Sequence, residues 1–121
     1  MSSSVLNVTF DCSDAASVAH FWAEVTRWSC AEHQTPGNTF WVVSEPDGAG
    51  PRLVFVTVRE AKTVKNRVHL DLVPDGSQAG ELARLESLGA RVIDDRRHMT
   101  PGGWVVLADP EGNEFDLESD E

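Results

Sequence analysis

The chain has few of the features that would assign it to a large functional class. Among its 121 residues it has no tyrosine, only two cysteines, and 10 lysine and arginine residues against 20 aspartate and glutamate residues. Cys12 and Cys30 are too few for a disulfide framework and lack the C-x-x-C spacing of a redox or zinc site. We therefore expect both to be buried as small apolar side chains.

The charge balance and the hydropathy pattern exclude further partners. A formal net charge of −10 argues against nucleic acid and anionic membranes, since both require surfaces rich in lysine and arginine. No apolar run approaches the ~18 residues that span a bilayer. The start of the chain lacks the basic and apolar regions of a signal peptide. We expect a cytoplasmic protein that binds neither nucleic acid nor membranes.

Several common catalytic motifs are missing as well. The sequence holds no G-x-S-x-G nucleophile elbow, no phosphate-binding glycine loop and no H-E-x-x-H helix. Nothing therefore favours Ser-His-Asp catalysis beyond the presence of those residue types. The composition, with 40% hydrophobic and 25% charged residues, is that of an ordinary globular domain long enough to bury its own core.

What the sequence does contain is a strand-like alternation in residues 66–76, NRVHLDLVPDG. The two faces of the pattern are Val68, Leu70 and Leu72 on one side and Arg67, His69 and Asp71 on the other. An alternation of this kind predicts a strand with its apolar face on the core. The face that carries an imidazole and a carboxylate then looks either at water or into a site.

Two turn signals divide the chain into similar halves. EPDG (45–48) and DPEG (109–112) both place an acidic residue, a proline and a glycine in the pattern of a type I turn. Strand-like runs flank each turn, at 39–44, 52–58, 103–108 and 113–118. Upstream, a strand and a helix are predicted at 5–11 and 13–28 in the first half, and at 67–73 and about 77–88 in the second, followed by a strand at 91–95.

The helix patterns support a duplication. Ser13 is predicted to cap the first helix, whose buried stripe is Val18, Phe21, Trp22 and Val25. The second helix buries Leu82, Leu85 and Leu88 and ends at Gly89. Each half thus runs strand–helix–strand–strand–strand, with a period of about 60 residues. We predict one domain over residues 1–121, made of modules at about 4–60 and 66–119.

Paired modules containing HLDLVPDG, LESLGARV and GWVVLADPEGNEFDLE resemble the vicinal oxygen chelate superfamily, which holds glyoxalase I, extradiol dioxygenases, fosfomycin-resistance enzymes and bleomycin-binding proteins. The closest resemblance is to the small glyoxalase-like domain proteins, and it runs from Val5 to Glu118. It implies an α+β fold in which two tandem βαβββ modules form curled mixed sheets around a cavity. It also implies a homodimer that binds a small molecule.

The resemblance further implies a place for a metal ion. In the metallo-enzymes of the superfamily, a divalent ion is held by up to four side chains from the first and last strands of the modules. By resemblance, the second module offers His69 and Asp116. The first module offers Asn7 in place of His69, and Val56 or its neighbour Phe55 in place of Asp116. Catalytic zinc sites and iron facial triads use three protein ligands. Of the four positions, only His69 and Asp116 carry good metal ligands. The expected cofactor is therefore none, or a weakly held Zn, Ni, Fe or Mn ion.

His69 also has interpretations without metal. Alternation in NEFDLES puts Asp116 on the face opposite Phe115 and Leu117. His69 is then either a structural residue satisfied by a carboxylate such as Asp71 or Asp116, or a catalytic group. In the second case His69 and Asp116 face the cavity as a pair that transfers a proton.

Further candidates for substrate binding lie in a loop and on two strands. Arg96, Arg97 and His98 precede Trp104 in the segment DDRRHMTPGG, and they either contact an anionic ligand or belong to a solvated loop. Trp41 and Trp104 occupy matching places in the two halves. They either line the cavity as stacking walls or belong to the core.

The resemblance leaves three functions open. The first is a glyoxalase-like enzyme, of the lyase or isomerase type or of the dioxygenase type, which acts on a small oxygen-rich metabolite at His69 and Asp116. The second is a metal-free protein of the bleomycin-resistance type, which sequesters a cationic aromatic compound by its acidic surface and tryptophans. The third is a degenerate domain that serves as a dimeric partner or regulator.

Overall fold

The structure is a computed structural model that describes residues 1–99 and 102–120. The chain forms two compact units, Met1–Ala61 and Lys62–Glu121. The first contains β1 (Asn7–Cys12), α1 (Ala15–Thr26), β2 (Ser29–Thr35), β3 (Asn38–Ser44) and β4 (Arg52–Thr57). The second contains β5 (Asp71–Leu72), α2 (Gln78–Ser87), β6 (Arg91–Asp95), β7 (Val105–Ala108) and β8 (Glu114–Leu117). The predicted α+β class with two tandem βαβββ modules is confirmed.

The two sheets have the same topology. Their strand orders are β1-β4-β3-β2 and β5-β8-β7-β6. In each unit the last strand is parallel to the first and antiparallel to the one before it. The parallel partners are 45 residues apart in both units, as Asn7 with Arg52 and Asp71 with Asp116 show. The internal repeat therefore extends to the pairing register.

The first helix begins at a different cap from the one predicted. Asp14, and not Ser13, occupies the N-cap, where its side chain accepts a hydrogen bond from the Ser17 N–H. An aspartate carboxylate satisfies one of the free N–H groups of the first turn as well as a serine hydroxyl does. The predicted stripe is confirmed, because all four of its members are buried, with Val18 and Trp22 at 1% exposure or less.

The second helix has the ends that its sequence predicts. The Ser77 side chain accepts from the Gly80 N–H at the N-terminus. At the C-terminus Gly89 has φ 112°, and its N–H donates to Glu86 while the next N–H donates to Leu85, which is a Schellman motif. Leu82 and Leu85 are buried as predicted, whereas Leu88, at the C-cap, is only half-buried. Neither helix of the described residues is long and apolar enough to cross a membrane.

The strand predicted at 67–73 is much shorter in the structure. Regular pairing is confined to Asp71–Leu72, and Val68, which was predicted to face the core, is 75% exposed. In the register that pairs Asp71 with Asp116, Glu114 at the start of β8 lies opposite His69, so Arg67 and Val68 have no partner in β8. The alternation continues beyond the end of the strand against which it could pack.

The two predicted turns have closely similar backbone bonds. The N–H of Gly48 donates to the carbonyl of Glu45, and that of Gly112 donates to Asp109, both at 2.9 Å. Asp109 is only 1% exposed, and its buried carboxylate is satisfied because it accepts hydrogen bonds from the N–H groups of Glu111 and Asn113. The second turn is therefore fixed from inside by a buried carboxylate that satisfies the loop backbone.

Cys12 and Cys30 do not form a disulfide, and they differ in burial. Cys12 is 1% exposed, as predicted for a small apolar side chain. Cys30 is half-buried on β2, and burial raises the pKa of its thiol. A thiol whose ionisation is suppressed in this way is a poor nucleophile.

Gly103, just before β7, offers a direct test of the loop that leads to this strand. A Cβ atom there would lie 2.2 Å from the carbonyl oxygen of Arg96 and 2.7 Å from that of Met99, so the loop backbone would have to move. We expect Gly103→Ala to lower the free energy of unfolding by about 1–3 kcal/mol. Gly76→Ala is the control, because its Cβ would meet no atom within 4 Å. Equal melting temperatures for the two variants would contradict this close approach of the loop backbone to Gly103.

Candidate functional site

The polar face of the HLDL segment lies against the last strand of the same unit. The N–H of Asp116 donates to the carbonyl of Leu70 at 2.9 Å, and the N–H of Glu118 donates to that of Leu72 at 2.8 Å. These bonds place Asp71 and Asp116 at paired positions of two parallel strands. His69 lies two residues before Asp71, on the same face of the chain. The pairing therefore brings three chemically active side chains together.

The three side chains are close enough to share one ion. His69 Nε2 lies 3.2 Å from Asp71 Oδ1 and 3.3 Å from Asp116 Oδ2, and the three ligand atoms all lie within 4.8 Å of one another. Atoms bound to one ion at about 2.1 Å are roughly 3.0 Å apart in an octahedron and 3.4 Å apart in a tetrahedron. The exposed fractions are 38% for His69, 56% for Asp71 and 15% for Asp116. The donor set thus fits a divalent cation that is still open to solvent.

Negative charge is concentrated around this group. Burial raises the pKa of Asp116, and the Asp71 carboxylate acts in the same direction, against the opposing effects of His69 and Lys65. Burial also raises the pKa of Glu118, reinforced by Asp71 and Asp116. Carboxylates in such a cluster are costly to ionise together, and a bound cation would relieve their repulsion.

Asp71 is the site residue that the sequence prediction missed. The sequence places Asp71 on the polar face with His69 but names only His69 and Asp116 as ligands, so it predicts two ligands in the second module rather than three. The signal was present in the alternation of His69 and Asp71, because residues two apart in an extended segment share a face. With Asp71 included, the second unit alone offers one imidazole and two carboxylates.

The equivalent positions of the first unit carry weaker ligands. Asn7, predicted to replace His69, has its amide oxygen engaged by Arg52 Nε at 2.9 Å. The position of the second carboxylate follows from the strand register, because Leu53 and Phe115 occupy matching places opposite the strand before each turn. The next residue is Val54 in the first unit, where counting along the sequence had indicated Val56. Either valine lacks a ligand atom, so this difference leaves the first unit without a carboxylate there.

The arginines of the predicted binding loop are paired with neighbouring carboxylates. Arg97 binds Asp95 with a shortest distance of 2.6 Å, and this bond lowers the pKa of Asp95 to about 2. Arg96 binds Asp94 at 2.7 Å and lies over the Trp104 ring, 5.9 Å from its centroid. His98 is exposed, and Trp104 is half-buried. The loop is therefore neutralised locally, and an anionic contact by Arg97 or His98 stays a prediction.

Trp41 is half-buried in the first unit and is also in contact with a neighbour. The His20 ring lies 5.0 Å from it between centroids, and Nδ1 of His20 is 2.7 Å from the Ala16 carbonyl oxygen. His33, on β2, stacks on Phe40 across the hairpin at 5.4 Å. A wall of half-buried aromatic side chains is compatible with ligand stacking and with packing, so the substrate-binding role of Trp41 stays a prediction.

Comparison with known proteins assigns the architecture to a family. A protein-family model described as a glyoxalase-like domain matches residues 7–118. The matched range includes both modules and all three side chains of the group in the second unit. No match was found among curated protein sequences.

Solved structures share the fold at low sequence identity. A glyoxalase/bleomycin resistance protein/dioxygenase family enzyme from Burkholderia phytofirmans PsJN is 17% identical with a TM-score of 0.73, over 96% of this chain and 98% of that one. The fosfomycin resistance protein FosX from Mesorhizobium loti is 15% identical with a TM-score of 0.73, over 100% and 94% of the two chains. A FosX from Listeria monocytogenes, complexed with Mn(II) and 1S,2S-dihydroxypropylphosphonic acid, is 14% identical with a TM-score of 0.71, over 99% and 91%.

The raised pKa of Asp116 predicts a stabilising substitution in metal-free protein. Because the pKa of Asp116 in the folded state lies above the unfolded value of 3.8, ionisation of Asp116 costs stability as the pH rises above that value. We expect Asp116→Asn to melt at a higher temperature than wild type at pH 7 in EDTA, with the difference fading near pH 3.

Asp75→Asn is the control for this comparison, because Asp75 is an exposed aspartate of the same unit. Its melting temperature at pH 7 is expected to equal that of wild type. A loss of stability in Asp116→Asn at pH 7 would mean that the ion pair with His69 outweighs the cost of burial, and it would contradict a raised pKa for Asp116.

Proposed function

Because the chain belongs to the glyoxalase-like domain family of the vicinal oxygen chelate superfamily, we propose that its second module binds a divalent cation and, through it, a small oxygen-rich metabolite. The observation that carries the proposal is the convergence of His69, Asp71 and Asp116, with His69 Nε2 3.2 and 3.3 Å from the two carboxylates and one ligand atom of each residue within 4.8 Å of the others. One imidazole and two carboxylates are nitrogen and oxygen donors, which suit Mn²⁺ or Fe²⁺. They differ from the sulfur-rich donor sets that hold structural zinc. The Mn(II) complex of one structural relative points to the same class of ion.

Each ligand has a defined part in this proposal. Asp116, the most buried of the three, supplies a charge that little water screens, while Asp71 leaves the solvent side open for the metabolite. When bound, the cation would polarise a carbonyl or hydroxyl oxygen of the metabolite as a Lewis acid. Glu118, two residues after Asp116 on the same side of the chain, would be a further carboxylate beside the metabolite. A lyase or isomerase reaction, or a dioxygenase reaction, would use this arrangement.

A metal-free binding protein is the second candidate. Its support is the net charge of −10 together with the half-buried Trp41 and Trp104, which favour a cationic aromatic compound. His69 is also satisfied by its two carboxylates without any ion. In that case His69 and Asp116 would form a polar contact for the ligand, or a pair that exchanges a proton with it. We retain the homodimer and the single two-module domain as parts of both proposals.

Titration with Mn²⁺ by calorimetry tests the cation site. We expect wild type to bind one equivalent of Mn²⁺. Changing a residue that only orients a metal ligand usually lowers the affinity about 10- to 100-fold, so His69→Ala and Asp71→Asn, which remove ligands, are expected to lose at least as much. Asn7→Ala is expected to bind as wild type, because its amide oxygen is engaged by Arg52. Loss of binding in Asn7→Ala would instead indicate a site that draws on the first module. Failure of wild type to bind Mn²⁺, Fe²⁺, Ni²⁺ or Zn²⁺ would exclude the cation site and favour the metal-free candidate.

A further inference from the structure

The segment that presents His69 has no regular secondary structure of its own. Between Lys62 and Leu70, the described residues form neither helix nor strand, and most of them are exposed. On the C-terminal side of His69, the chain is held by the hydrogen bond from the Asp116 N–H to the Leu70 carbonyl. A ligand on a flexible segment loses conformational entropy when it binds an ion, and this weakens the affinity unless the segment is held beforehand. The segment therefore also needs a stabilising contact, here called an anchor, on the N-terminal side of His69.

Glu114 supplies such an anchor. Its Oε1 accepts a hydrogen bond from the backbone N–H of Asn66 at 3.0 Å and lies 3.2 Å from Lys62 Nζ. Lys62 Nζ also donates to the carbonyl of Val64. The side chains of Glu114 and Lys62 are 18% and 23% exposed, so the contact is partly shielded from water.

The position of Glu114 relates this anchor to the site. Glu114 and Asp116 are two residues apart on β8 and point to the same face. β8 thus forms hydrogen bonds with the chain on both sides of His69. The Glu114 side chain accepts from the Asn66 N–H, and the Asp116 N–H donates to the Leu70 carbonyl. We propose that Glu114 is a positioning residue, which holds His69 within reach of the two carboxylates. The inference rests on the proposed cation site and extends it to a residue that does not touch the ion.

The two contacts of Glu114 contribute differently. Asn66 is three residues before His69, whereas Lys62 is seven residues before it. The bond to the Asn66 N–H therefore restricts the shorter and more relevant piece of chain, and it carries the positioning. A glutamine at this position keeps a carbonyl oxygen for that N–H but gives up the ion pair with Lys62.

The test compares Mn²⁺ affinities of full-length variants by calorimetry. We expect Glu114→Ala to bind Mn²⁺ about tenfold or more weakly, as for other groups that orient metal ligands, and Glu114→Gln to restore most of the affinity. Glu81→Ala is the matched control, because its side chain is also 18% exposed and paired with an arginine, Arg84 on α2. It is expected to bind as wild type.

Amide hydrogen exchange of the metal-free protein gives a second readout. The Asn66 N–H reports its bond to Glu114, and the Asp116 N–H reports the anchor behind His69. Glu114→Ala is expected to lose protection at Asn66 and to lower it at Asp116, whereas Glu114→Gln keeps both. Should Glu114→Ala fail to fold, Glu114→Asp takes its place, because it keeps the charge but shortens the reach toward Asn66.

The outcomes separate the two proposals. Equal Mn²⁺ affinities for wild type and Glu114→Ala, or for wild type and Glu114→Asp, would overturn the positioning role and leave the cation site intact. Weak binding by Glu114→Gln equal to that of Glu114→Ala would overturn the role of the Asn66 bond. If wild type binds no divalent cation, the proposed function fails. Hydrogen exchange tests the positioning role without the ion, and unchanged protection at Asp116 in Glu114→Ala would overturn that role.

Discussion

The parallel pairing of β5 with β8 is the constraint on which the site depends, because it brings residues 45 positions apart onto one small surface. Only two residues of β5 take part, yet the bonds from Asp116 and Glu118 to the chain around Asp71 fix the register. A shift by one residue would turn His69 and Asp71 to the opposite face. The proposed cation site of the second unit therefore depends on a few backbone hydrogen bonds and, by our proposal, on the contact of Glu114 with Asn66.

The two units share this register but differ in what it brings together. In the second unit the paired face carries an imidazole and two carboxylates, whereas the matching face of the first carries Asn7, Thr9 and Val54. The core of the first unit is aromatic, with the Phe10 ring stacked on that of Phe55 at 4.9 Å and 5.6 Å from that of Trp22. The repeat has thus diverged into one unit with an aromatic core and one with a cluster of ionisable groups.

Much of the fold can be predicted from local patterns, and the site only in part. Both turns, both helices and the burial of Phe115 follow from period and turn chemistry, since these depend on near neighbours. The start of β5 could not be predicted, because it depends on where a partner strand distant in sequence begins. The same holds for Glu114, whose contacts are 48 and 52 residues away. Asp71 was within reach, since its alternation with His69 already indicated a shared face.

Anomalous diffraction from crystals grown with Mn²⁺ tests the central claim most directly, namely that the second unit holds a divalent cation with its own three side chains. We predict one strong anomalous peak about 2.2 Å from His69 Nε2 and from a carboxylate oxygen of both Asp71 and Asp116. A peak bound by other residues, or no peak at this group at saturating Mn²⁺, would contradict the claim.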